Sequence, residues 1–473
     1  MSAPGGGPLL ALDLGSSSVR AIVLDDDLGP IPGGIARRAV DVRLDGAGAA
    51  EADADEYVAS LADCLDELRD GGRLDGVGAV VTSSQWHSLL AVGDDGRPRS
   101  AVLTWADTRA RPAGRGPKDP AAFHERTGTW HHGLYWSTRI PWLAGQLAGS
   151  RVRFRGLPEH VTASLLDDPS CSVSVASGTG LLDLASQEWD DEALALAGVG
   201  VRALPALAPP GWRGTLDREA SSRWPQLAGV PWWAATGDGA ASSIGSGCGD
   251  ETSLAVTVGT SAAVRVVQRT AAAGELPHGL WRYRVDGDRV VTGTAFSGGG
   301  NLFAWAAAVL QGLEGVGLDE ISLGGHGLTA LPFHVGSRPP FAVPPGKGAL
   351  AGLGLDTTGP QMGAAVLESV CHEVVRGLRA VEATVAGRPR IVLNGGALYA
   401  SRWWQQAFAA AAGRAVQACG VREMAARGAA LVARGVDLQP PLDDVVPTAA
   451  EIEAMSEAAS RYESLRDLLI DER

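Results

Sequence analysis

Two short loops carry the residue types that bind phosphate. Asp13 closes the apolar run Leu9-Leu10-Ala11-Leu12 and is followed by Gly15-Ser16-Ser17-Ser18; about half a chain later Gly259-Thr260-Ser261 follows Thr257-Val258. Each loop can turn successive backbone N–H groups and hydroxyls toward an anion, a nest of donors suited to phosphate oxygens. One such loop alone is an ordinary β-turn. Two copies, each followed by Val-Arg (Val19-Arg20 and Val264-Arg265), point to two similar units clamping a nucleotide. Asp13 then suits Mg²⁺, directly or through water, because hard cations take carboxylates and substrate phosphates. A Walker-type loop is excluded, since the nearest match, Pro345-Gly346-Lys347-Gly348, has no hydroxyl after its lysine.

Both loops must be held by strands. Residues 8–13 and the run Val19-Arg20-Ala21-Ile22-Val23-Leu24 read as strand, tight polar turn, strand, and 253–267 repeats that grammar. Between them the spacing predicts a helix over 55–69, a strand over 77–82 and a mixed region over 105–225. The second half reads as helices over 361–385, 402–413 and 423–434 around a strand at 391–393, with an amphipathic helix over 447–470. Alternating strands and helices imply α/β architecture, in two similar domains with the second beginning near 250. The Pro/Gly-rich stretches 111–120, 205–215 and 338–349 read as loops.

Composition narrows the partners. The 473 residues are 45% hydrophobic and 20% charged, enough for a sizeable core, and Gly 63 with Pro 27 stays below low-complexity levels. Lys+Arg 40 against Asp+Glu 54 gives a net charge of −14, a field that repels nucleic acid and anionic lipid. An anionic small substrate would therefore need local arginines. Cys64, Cys171, Cys248, Cys371 and Cys419 lie far apart with no Cys-x-x-Cys pair, which fits a reduced cytosol. No basic segment precedes the first apolar run and no 18 uncharged apolar residues follow one another, so neither a secretion signal nor a membrane span is expected.

These residues together resemble the FGGY carbohydrate kinases. Ala11-Leu12-Asp13-Leu14-Gly15-Ser16-Ser17-Ser18 is similar to that family's first phosphate motif, and Thr257-Val258-Gly259-Thr260-Ser261 to its second. Gly348 to Leu353, seven residues, then Gln361 to Glu368 match its C-terminal signature. Asn394-Gly395-Gly396-Ala397, followed by Ser401-Arg402-Trp403-Trp404, resembles its adenosine loop. The likeness covers roughly 8–435. It implies two actin-like, ribonuclease H-like domains with a nucleotide and sugar cleft between them: an N-terminal sugar-binding domain over 8–249, a C-terminal ATP-binding domain over 250–440 and a helical tail over 441–473. Related kinases are often dimers, which leaves a homodimer open.

The resemblance also assigns roles. Thr236-Gly237-Asp238-Gly239 reads, from its residues, as an Asp-Gly turn or a helix N-cap. By likeness it bears the family's catalytic Asp, making Asp238 the general base and, with Asp13, a Mg²⁺ ligand, with Gly239 beside the substrate. Phosphoryl transfer to a hydroxyl is mostly positioning and charge neutralisation, with one carboxylate taking the proton. Ser84-Gln85-Trp86-His87-Ser88-Leu89 resembles the segment that touches the sugar, with Trp86 where a methionine is usual. Trp105-Ala106-Asp107-Thr108-Arg109 resembles the substrate-binding Trp-x-Asp-x-Arg segment. With Ser297-Gly298-Gly299-Gly300-Asn301-Leu302, in which Gly299 falls to the ATP side, these look most like the gluconokinase branch.

Several positions depart from the pattern. Arg139-Ile140-Pro141-Trp142-Leu143 has Arg for the expected Lys, Ser172 stands where an acid is common, and Ser337 replaces the acid before Arg338. The ATP machinery is complete while the substrate shell is altered. The expected activity is ATP- and Mg²⁺-dependent phosphorylation of a small sugar or sugar acid, gluconate first and xylulose or another ketose or polyol second. A binding protein without phosphoryl transfer is the alternative from another class, since fold does not fix function.

Overall fold

The computed structural model describes residues 7–112, 114–147, 149, 151–166, 169–310, 318–338 and 343–471. The loops expected over 111–120 and 338–349 therefore lie partly outside the described residues, at 113 and 339–342.

Leu9–Leu14 is buried along its whole length, as a strand covered on both faces must be. It pairs antiparallel with Ser18–Leu24, which pairs antiparallel with Pro30–Ala39. On its other side it runs parallel to Ala79–Ser84, which is parallel to Trp232–Trp233 and Thr236–Gly237. The second sheet repeats this plan. Ser253–Val258 pairs antiparallel with Ala262–Arg269, which pairs antiparallel with Arg289–Phe296; on the other side it is parallel to Arg390–Asn394, which is parallel to Val416–Cys419. Both sheets thus share the order third, second, first, fourth, fifth, the duplicated architecture the two loops implied.

The helix Ala54–Asp70 forms where Asp53 caps the N–H groups of Asp55 and Glu56, and it buries Tyr57, Leu61, Leu65 and Leu68. Its Tyr57 hydroxyl donates to the carbonyls of Gly15 and Ser16, fixing the first loop from below. In the second domain, Gly359–Glu382 begins at a Thr358–Gln361 capping box and contributes most of its length to the core beside Arg402–Ala412.

A third core lies between the domains. Leu9, Ala11, Ile22 and Val81 of the first sheet, with Ala240 and Ala241, meet Ala426, Ala429 and Ala430 of the second domain. Here the helices Asp238–Gly245 and Met424–Arg434 cross closely. A Cβ at Gly245 would lie 1.9 Å from the Met424 carbonyl oxygen, and one at Gly428 would lie 1.7 Å from that of Ala241.

Residues 442–466 belong to the second domain's packing. Leu442–Val445 adds an antiparallel strand beside Val416–Cys419, and the helix Ala449–Arg466 buries Met455, Ala458 and Tyr462, whose hydroxyl donates to Glu373 at 2.7 Å. All five cysteines are free and buried, and no described helix is long and apolar enough to cross a membrane.

Candidate active site

The second phosphate loop is built by close backbone approach. Gly259 N–H donates to Ser261 O at 2.9 Å, while Gly259 O and Thr260 O accept from the N–H groups of Gly300 and Asn301. A Cβ at Gly299 would lie 2.7 Å from the Ser261 carbonyl carbon. Gly395 holds a φ of +106°, and a Cβ there would meet Val258 O at 2.4 Å, so only glycine fits. The strand Ser253–Val258 and its neighbour Arg390–Asn394 thus bring Gly259, Thr260, Ser261, Gly299, Gly395, Gly396 and Ala397 to one end of the second sheet. In the first loop Gly15 N–H donates to Ser18 O at 3.1 Å; Ser17 is exposed at the tip and Ser18 is buried.

Two carboxylates, Asp13 and Asp238, interact through their charges. Asp13 lies next to the end of the first strand and pairs at 3.4 Å with Arg20, opposite it in the antiparallel register; Arg20 bridges at 3.0 Å to Glu423 of the second domain. Burial pushes the Asp13 carboxyl up to about 6 despite Arg20, and the charge of Asp238 adds to the rise. Asp238 opens the helix Asp238–Gly245, where Gly239 N–H donates to its carboxylate at 2.8 Å. Burial raises Asp238 as well, opposed chiefly by Arg265. No cluster of three His, Cys, Asp or Glu side chains occurs among the described residues. The carboxylates of Asp13 and Asp238 nevertheless suit Mg²⁺, which binds through one or two carboxylates plus substrate phosphates and keeps its waters.

Asp238 borders a cavity of about 170 Å³ between the domains. Trp281 and Tyr283, stacked at 4.5 Å, form one wall with Trp86 edge-on to Tyr283. Tyr135 of the first domain meets Tyr283 of the second, hydroxyl to hydroxyl, at 2.9 Å. His87 sits against both tyrosines, its Nδ1 at 2.6 Å from Gly178 O. Burial lowers its basicity to about 3, so the ring is neutral. The carbonyl requires the proton on Nδ1, which leaves Nε2 as an acceptor. Arg265 and Arg338 complete the wall. Arg338 lies 4.1 Å over the Trp105 ring and reaches Ser261 at 3.3 Å; burial lowers its basicity to about 10.

Of the Trp105–Arg109 segment, only Trp105 lines this cavity. Asp107 is 2% exposed. Its carboxylate takes Arg109 at 2.6 Å and Ala50 N–H at 3.1 Å, and Arg109 also pairs with Glu51 and covers Trp142. Behind them the buried Arg139 donates to the carbonyls of His87, Asp107 and Gly133. Asp107 and Arg109 thus spend their charges on each other and on Glu51. Sequence reasoning left out Arg265, Tyr135, Trp281 and Tyr283; the repeated Val-Arg after each loop was the signal for Arg265.

Comparison with known proteins now bears on this geometry. Residues 9–245 match the model of the FGGY family of carbohydrate kinases, N-terminal domain, and 254–434 match its C-terminal domain. The chain belongs to the FGGY family of carbohydrate kinases. As an FGGY kinase it is a phosphotransferase that uses ATP as phosphate donor and an alcohol hydroxyl as acceptor. It is 25% identical over 352 residues to a gluconokinase of Bacillus subtilis (strain 168), covering 69% of this chain and 68% of that protein. It is 29% identical over 445 residues to a xylulose kinase of Streptomyces rubiginosus, covering 92% and 89%. The fold of this FGGY kinase superimposes on a gluconate kinase structure from Lactobacillus acidophilus with a TM-score of 0.86 at 20% identity, covering 98% of each chain.

Proposed function

We propose that this FGGY kinase transfers the γ-phosphoryl group of ATP to a terminal hydroxyl of a small open-chain sugar acid, gluconate being the first candidate. The observation that carries the choice is the charge of the cavity: two guanidiniums, Arg265 and Arg338, against the single carboxylate of Asp238 in about 170 Å³. Buried charge needs a partner, and a substrate carboxylate supplies one. The volume is below the roughly 300–1,000 Å³ of drug-sized sites, which suits a short polyol chain.

In this scheme the Gly15–Ser18 and Gly259–Ser261 loops hold the phosphates, while Gly395, Gly396 and Ala397 admit the adenosine. His87 Nε2 accepts from a substrate hydroxyl. Asp238 takes the proton of the attacking hydroxyl as its oxygen bonds the γ-phosphorus and the bond to the bridging oxygen of ADP breaks. Mg²⁺, held by Asp13 and Asp238 with the phosphates, would neutralise charge on the transferring group. Arg338 spans from Trp105 to Ser261 and so touches both the acceptor's wall and the phosphate loop.

A neutral ketose is the second candidate, favoured by the longer match to the Streptomyces rubiginosus xylulose kinase. The test is ADP release with Mg²⁺-ATP against gluconate, xylulose, ribulose and glycerol. Gluconate is expected to exceed every neutral compound by at least tenfold in kcat/KM. A xylulose value above the gluconate value would move the assignment to the ketose.

A further inference from the structure

We propose that Trp86 is a wedge that positions Asp238, and that its indole is not a platform on which substrate lies. Glycines from three elements surround the ring. A Cβ at Gly237 would lie 2.0 Å from its Nε1 and Cε2, one at Gly178 would lie 2.3 Å from Cδ1, and one at Gly239 would lie 2.4 Å from Cζ3. Gly237 and Gly239 flank Asp238, so the ring presses on the backbone immediately before and after that residue. Any side chain at these positions would drive the indole out.

Hydrogen bonds close the same unit. The indole N–H donates to Ser174 O at 2.9 Å, and the Ser174 hydroxyl accepts from Gly237 N–H at 3.0 Å. The main-chain N–H groups of Trp86 and Gly239 both hold the Asp238 carboxylate. His87, next along the chain, takes a left-handed φ of +68°, a conformation a non-glycine residue keeps only when its surroundings impose it. Trp86 is 5% exposed, with Trp281 and Tyr283 packed against it in T-shaped geometry. A ring covered this far borders the cavity but leaves little surface for a sugar to lie on.

The inference rests on Asp238 as the proton acceptor. The charged groups facing that carboxylate are Asp13 from the first strand, Arg265 from the second sheet and Arg338 from its loop. The experiment compares Trp86→Met, Gly237→Ala and the double variant with the wild type, using Mg²⁺-ATP with gluconate, or with xylulose if that is what turns over. Each single variant should lose at least tenfold in kcat, with the dissociation constant for ATP changed less than threefold. The double variant, in which the new methyl fills the space the indole left, should recover to within about threefold of wild type. A variant that merely lowered the folded fraction would lose ATP-binding sites, counted by calorimetric stoichiometry, in proportion to its loss of kcat. A kcat loss matched by an equal loss of ATP-binding sites, or a double variant no better than Gly237→Ala, overturns the wedge. Full activity in Asp238→Asn would instead overturn the assignment of the base.

Discussion

Arg20 and Arg265 each follow a valine on the strand after a loop, Arg20 opposite Asp13 and Arg265 opposite Ala255, and each acts on a carboxylate, Asp13 in one case and Asp238 in the other. The spacing of Asp13, the two loops and Asp238 was legible in the sequence because a tight turn after a strand fixes where its residues point. The surroundings of Asp107 were not, because Glu51 and Arg139 reach it from distant segments. Removing Arg109 therefore strands a buried carboxylate. Arg109→Ala should cost about 3 kcal/mol in urea unfolding and raise KM for gluconate and xylulose equally. An effect confined to gluconate would place Arg109 on the substrate. Asp13 makes a pH prediction. Its folded pKa, about 6, lies above its ordinary carboxylate value, so in the free protein its contribution to stability grows as pH falls below about 6. In the proposed scheme its hold on Mg²⁺ weakens over the same window. Calorimetric affinity for Mg²⁺-ATP should fall as pH drops through about 6, and Asp13→Asn should flatten that dependence.

Apolar periodicity located several of the long helices, but not the strand Pro30–Ala39 or the helix Trp136–Gln146. The helix expected over 55–69 is Ala54–Asp70, and that expected over 423–434 is Met424–Arg434. The hairpin of Trp281–Arg284 and Arg289–Phe296 escaped, although it supplies Trp281 and Tyr283 to the cavity. Its alternation Trp281-Arg282-Tyr283-Arg284 reads as a strand with one solvated face, whereas Arg282 and Arg284 are both buried through hydrogen bonds to carbonyls that only the folded chain brings near. The crossing of Asp238–Gly245 with Met424–Arg434 was equally hidden, since a glycine inside a helix reads as a weak position until its neighbour is known. Gly428→Ala should gain about 1 kcal/mol of helix propensity yet lose more to overpacking, for a net loss of about 2 kcal/mol measured by thermal unfolding. A net gain would mean that the helices separate freely.

At the scale of the whole molecule, a chain of net charge −14 nevertheless places two arginines, Arg265 and Arg338, in the cleft and a third, Arg20, beside Asp13. The two domains touch across that cleft at Tyr135–Tyr283 and Arg20–Glu423. Closing over substrate excludes water that would otherwise take the phosphoryl group. Gluconate with a non-hydrolysable ATP analogue should therefore reduce the radius of gyration in small-angle scattering relative to the free protein. No change would count against a closing cleft. The proposed mechanism centres on proton acceptance by Asp238 between the two domains, and Asp238→Asn tests it most directly in a single-turnover transfer from γ-labelled ATP. The variant should fold and bind ATP within threefold of wild type while transfer falls by about 10²–10⁴; more than a tenth of the wild-type rate would contradict the mechanism.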